Sequence, residues 1–174
     1  MKKVCFCVFS YSALLALPQG GQVVQGEAAW SSSADALQIE ARGKAILQWE
    51  GFDVASQEAV RFFQREGNFA ILNRVVSASA SEILGKLEAN CPIYLVNPHG
   101  VFLGSAAVVE TAGFIASTAD LSNECFGMEG ALSFQSLGAG AIVNLGKIHT
   151  ACPCAWPPCR QPLPWQPHLL RPNP

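Results

Sequence analysis

Apolar and polar positions alternate in short runs along most of this chain. Leu37, Ile39 and Ala41 alternate with Gln38, Glu40 and Arg42, the period of a strand with one buried face. Arg42-Gly43-Lys44 reads as a turn, and a second run, Ala45-Ile46-Leu47-Gln48-Trp49, follows it. Beyond the break at Glu50-Gly51, Phe52 and Val54 alternate with polar neighbours, and Val60 and Phe62 resume the period after residues 55–58. Glu66-Gly67-Asn68 punctuates again before residues 69–72, and weaker runs follow Phe126, with Leu132 and Phe134 alternating before Ile142-Val143. Turn signals recurring about every 8–12 residues predict an all-β domain. Residues 77–89 fit two patterns. Ser81 would cap a short helix with Ile83, Leu84 and Leu87 on one face. Equally, Ile83, Gly85, Leu87 and Ala89 alternate with Leu84, Lys86 and Glu88, and Gly85 weakens a helix by roughly 1 kcal/mol.

The most structured stretch is residues 89–118. Ile93-Tyr94-Leu95-Val96 enters a turn, Asn97-Pro98-His99-Gly100, and Val101-Phe102-Leu103 leaves it. Pro98 presets the φ of a type I turn, Gly100 accepts a positive φ, and Asn97 can close the turn on a nearby backbone N–H. Both flanks are too short for helices and rich in β-branched and aromatic residues, so they read as strands.

Composition narrows the functions open to such a domain. At 174 residues the chain is long enough for one core, half its residues are apolar, 14% are charged and the formal net charge is −2. That balance gives no electrostatic case for nucleic acid or an anionic membrane surface. Lys2 and Lys3 precede a mostly apolar stretch to Leu17, which has the length of a signal-peptide core and is too short to span a bilayer. Residues 1–16 are therefore read as a signal peptide. Seven cysteines, an odd number, describe no disulfide framework, and none is assigned.

No catalytic constellation is legible. His149, Cys152, Cys154 and Cys159 are ligand types suited to zinc, but C-x-C-x4-C is not a usual paired spacing, so no metal is expected. The serines of residues 77–81 lack a nucleophile elbow and a paired base, His99 lacks partners, and no phosphate loop is present. The reading is a non-enzyme without a cofactor.

Several motifs carry a family resemblance. Asn73-Arg74-Val75-Val76, the run from Ser81 to Asn90, the turn with its flanks and Gly113-Phe114-Ile115-Ala116-Ser117-Thr118 occur in order. Leu17 to Gly26, Trp49 with Phe52, and Ile142 to Ile148 fit the same series. Together they resemble the secretion domain of two-partner secretion exoproteins, the N-terminal domain of filamentous-haemagglutinin-like adhesins. Two positions depart from the family pattern: Cys91 stands where glycine is usual, and His99 replaces an asparagine in the turn.

The resemblance implies a right-handed parallel β-helix, which favours strands over residues 77–89 and a solenoid over a sandwich; periodicity alone leaves the sandwich open. It also implies Sec export through the periplasm and capture by the POTRA domains of a cognate outer-membrane transporter. Asn97, Pro98, His99, Gly100, Asn73 and Arg74 become the candidate recognition residues. The domain would nucleate folding of a long surface adhesin, whose downstream repeats would meet a host cell. The alternative is a self-contained secreted β-module that binds carbohydrate or protein.

The composition changes abruptly after His149. Residues 151–174 hold 8 of the 11 prolines and three cysteines. Proline lacks the ladder N–H, so this stretch cannot continue a sheet. The expected division is a signal peptide at 1–16, a secretion domain at 17–148 and a tail at 149–174. The tail reads as a frameshift or truncation product, or else as a genuine Pro-rich segment that packs little against the domain, and the β-helix is expected to be incomplete at its C-terminal end.

Overall fold

A computed structural model describes residues 16–150 apart from 68, 129, 130, 137 and 139. Residues 1–15 of the signal peptide expected at 1–16, and the Pro-rich segment from residue 151, lie outside the described residues.

The chain winds as a parallel β-solenoid of about four turns, which is the β-helix implied by the family resemblance. Strand β1 (Gln22–Ser32) runs antiparallel to β2 (Ala36–Trp49) and covers the first coil. The following strands are β3 (Ala59–Gln64), β4 (Ile71–Val75), β5 (Ser81–Ile83), β6 (Lys86–Ala89), β7 (Pro92–Val96) and β8 (Gly100–Leu103). Then come β9 (Val108–Thr111), β10 (Gly113–Ser117), β11 (Ala119–Asp120), helix α1 (Asn123–Gly127), β12 (Gln135–Ser136), β13 (Ala141–Asn144) and β14 (Lys147–Thr150).

Three faces result. The first half of β2 stacks on β3, β6, β9 and β14; its second half stacks on β4, β7 and β10; β5, β8 and β13 form the third face. Register places like residues above like. Leu37, Val60, Leu87 and Val109 form one inward row, and Ala45, Ile71, Ile93 and Phe114 form another. The first row is almost fully buried, so each coil hides the apolar face its neighbour leaves open. Alternation within each strand supplies both the inward rows and the polar outer rows.

Three sequence readings are corrected. Gly43 does not end a strand: with φ of +63° it bends β2, which continues to Trp49 and thereby serves two faces. Phe52 and Val54 lie in a connection, where Val54 makes only an isolated bridge to Ile83. Leu132 and Phe134 are not in a strand, and Phe126 sits in α1. These residues belong to an insertion, residues 119–140, that folds over the outside of the second face. There Leu121 and Phe126, with Leu132 and Phe134, cover Ile46, Leu72, Tyr94 and Val96. The outward positions of that face are apolar because a second layer covers them. Within residues 77–89 the chain forms β5 and β6, two short strands parted near Gly85, and residues 77–80 lie outside them.

Candidate recognition site

Residues 97–100 make the corner between the second and third faces. Gly100 N–H donates to the Asn97 carbonyl at 3.0 Å, His99 N–H donates to Asn97 Oδ1 at 2.9 Å, and Gly100 has φ of +112°. The asparagine-closed turn read from the sequence is the one present. Asn144 repeats the device, its Oδ1 accepting Gly146 N–H at 2.9 Å.

Asn97 does more than close its own turn. It is fully buried, and its Nδ2 donates to the Ser79 carbonyl and to Ser81 Oγ, both at 3.0 Å, in the preceding coil. Its backbone N–H donates to the Ser117 carbonyl in the following coil. One residue therefore joins three coils. Gly138 and Gly140 lie flat against the other side of the turn: Gly140 N–H donates to the Pro98 carbonyl at 3.2 Å, and a Cβ on Gly138 would collide with Pro98. The small residues of this stretch are needed because backbone approaches backbone.

Asn73 is a second buried staple, one coil earlier. Its Oδ1 accepts the Trp49 indole N–H at 3.0 Å and its Nδ2 donates to the Tyr94 carbonyl at 3.4 Å. Trp49 itself packs between Trp30, 5.4 Å away by ring centroid, and Phe52 at 5.8 Å. Arg74 points outward from the same strand. Its guanidinium donates to the Leu121 carbonyl at 2.9 Å and to Asn123 Oδ1 at 3.1 Å. Arg74 Nε also lies 2.8 Å from Asp120 Oδ2, off the N–H direction, so that contact is an ion pair rather than an aligned hydrogen bond. Arg74 thus ties the insertion to the second face.

The six candidate residues divide accordingly. Asn73, Asn97 and Gly100 are sealed inside, Arg74 is a tether, Pro98 is half-buried, and His99 is exposed. Cys91, at the corner before Pro92, faces inward, and burial pushes its thiol up from 9.0 to about 12. Sequence reasoning missed the partners of the staples. Ser79 and Ser81 carried a signal in the alternating run 77–81, whereas Asp120 and Asn123 carried none, being 46 or more residues from Arg74 in sequence.

Outside the corner, an open groove of about 680 Å³ follows the first face. Its outer row in register is Gln38, Arg61, Glu88, Glu110 and His149. Arg61 and Glu88 pair at 2.6 Å, and Phe63 lies beside them. Among the described residues no group of histidine, cysteine and carboxylate side chains is arranged to hold a metal ion.

A family profile described as the TPS secretion domain matches residues 16–151. The chain is 34% identical over 142 residues to a heme/hemopexin-binding protein of Haemophilus influenzae, covering 80% of this chain and 16% of that protein. A second Haemophilus influenzae protein of the same name is 35% identical over 114 residues, covering 64% of this chain and 12% of its own length. The chain thus spans less than a fifth of the curated relatives it matches. In three dimensions it resembles the crystal structure of the HMW1 secretion domain from Haemophilus influenzae, with a TM-score of 0.70 and 36% identity. That match covers 75% of this chain and 36% of the other.

Proposed function

The chain belongs to the TPS secretion domain family, whose exoproteins cross the outer membrane of Gram-negative bacteria through a cognate transporter, and from that premise we propose a two-step role. In the periplasm, after Sec export and loss of the leader, the chain is captured unfolded or partly folded by the transporter's POTRA domains. At the cell surface it then folds coil upon coil and templates the remainder of a long adhesive exoprotein, whose downstream part meets the host cell. The haem- or hemopexin-binding function in its relatives' names would belong to that downstream part. The role is non-catalytic.

One observation carries this reading: Asn73, Asn97 and Gly100 are buried in the folded solenoid. A partner can read them only before the coils close, and closing the coils consumes the same hydrogen-bonding groups. Strand edges of an unfolded chain can pair with a partner's sheet by β-augmentation. Once paired coil to coil, those edges are no longer available, so folding itself releases the chain.

The test joins residues 1–148 to the remaining coils of a relative and expresses the fusion with that relative's transporter. Wild type is secreted, whereas Gly100→Val and Asn97→Ala reach the periplasm but are secreted several-fold less. Normal secretion of both variants would remove the corner from the mechanism. A second reading, a carbohydrate-binding face, draws on the groove beside Phe63 and Arg61. Retention of the domain on a glycan array, abolished by Phe63→Ala, would favour it.

A further inference from the structure

Glu58 is the only buried carboxylate among the described residues, at 3% exposure. It stands at the corner where the first coil passes into the second. Its Oε2 accepts the Ala55 N–H at 2.8 Å, which closes that corner, and its Oε1 accepts the Ala16 N–H, also at 2.8 Å. Among the described residues no cation forms an ion pair with it. Arg61 is engaged by Glu88, and Lys86 borders the same shallow depression without pairing. A buried carboxylate held by neutral donors alone is an expensive arrangement, and a cation would relieve it. One of its two donors is the backbone N–H at the point where the expected leader ends.

We propose that Glu58 is the binding site for the α-ammonium released when the leader is removed, so that processing turns a neutral hydrogen bond into a buried ion pair. The inference rests on the proposed leader removal and extends it. An endopeptidase of the export route adds one water across a peptide bond. The leader keeps the new carboxylate, and the domain keeps an amine that takes up a proton. Cleavage before Ala16 creates the ammonium where the N–H already meets Glu58. Cleavage after Ala16, the boundary read from the sequence, moves it by one residue, about 3.8 Å in Cα spacing. In that case Leu17 carries it, and the Leu17 side chain is packed against the core and holds it close. Leader removal and closure of the first coil are thereby coupled: the uncleaved chain makes the weaker contact and the processed chain the stronger one.

The experiment exports the full chain to the periplasm of a Gram-negative host and defines its terminus by intact mass. The rate at which an N-hydroxysuccinimide ester acylates the terminal amine at pH 7 is then measured by peptide mapping. An ammonium held by Glu58 reacts about tenfold more slowly than the terminus of Glu58→Gln, because one unit in the amine's proton affinity is a factor of ten. Gln retains an acceptor for Ala55, so the corner is kept. A second variant with Gly-Ser inserted between Leu17 and Pro18 displaces the amine while leaving Glu58 intact, and it should react as fast as the Gln variant. Equal rates in all three processed chains would overturn the Glu58 site and leave the export reading standing. A periplasmic protein that retains residues 1–15 would overturn the leader removal and, with it, the Glu58 site.

Discussion

Gly100 shows how much one position can carry at the corner. Its φ of +112° is open to glycine and strained for any L side chain, and a Cβ there would lie 2.6 Å from the Ala141 carbonyl of the next coil. Gly100→Val therefore meets strain and a backbone clash together. We expect a loss of about 2 kcal/mol or more, read from the urea midpoint. Asn97→Ala removes the side-chain bonds to the preceding coil and within its own turn, keeps the backbone bond to Ser117, and leaves Ser81 Oγ and the His99 N–H without their partner; the same measurement should show a loss of about 1–3 kcal/mol. His99→Asn restores the family residue at an exposed position and should stay within about 0.5 kcal/mol. Cys91 gives a pH-dependent case. Its buried thiol is pushed up to about 12, while the unfolded thiol ionises near 9.0. Its contribution to stability is complete below pH 9 and declines as the pH rises towards 12, because only the unfolded chain then releases the proton. Unfolding midpoints of wild type and Cys91→Ala should converge above pH 9, and iodoacetamide at pH 8 should label Cys125 in the native protein and spare Cys91.

Among the elements, the insertion of residues 119–140 is the least local in its support. Helix α1 has five residues, too few to be stable by itself, and is started by Ser122, whose side chain accepts the Cys125 N–H. What holds it is the apolar cover over Ile46 and Leu72 and the Arg74 tether. Arg74→Ala removes the ion pair with Asp120 and both hydrogen bonds while leaving the coils stacked. The expected result is faster proteolysis within residues 119–140, by about tenfold, with the β2–β4–β7 stack still protected from hydrogen exchange. If exchange rose equally across the second face, the insertion would be part of the core rather than a strap on it. Strand β2 shows the opposite case. It is long and bent at Gly43, and its two halves form the first layer of two faces, on which β3 and β4 stack in register.

Across the whole molecule, each coil depends mainly on its neighbours, so stability should vary along the axis. The first coil is covered by β1, with Trp30 against Trp49. At the other end β13 and β14 are exposed throughout, with Ile142 at 44%, and Leu145 between them is 61% exposed. Amide exchange should therefore be slowest in β2, β4 and β7 and fastest in β13 and β14, and uniform protection would contradict a coil-by-coil architecture. The sequence by itself determined the strands wherever one side of a strand stays exposed, because a half-buried strand prints a period of two, as in Leu37 to Arg42. It also determined the Asn97 turn, since proline, glycine and asparagine restrict the backbone locally, and the family motifs led from there to a solenoid. Periodicity left the solenoid open against a sandwich, because both bury alternate residues. The tertiary structure decided the rest. It decided that Gly43 bends one strand instead of ending it, because β3 and β4 stack on either side of the bend. It decided that Leu132 and Phe134 belong to a cover, because their partners lie far away in sequence on a neighbouring face. It decided that Asn73 and Asn97 are interior staples and that Glu58 meets Ala16, because hydrogen bonds between coils join residues whose spacing in sequence carries no periodic signal.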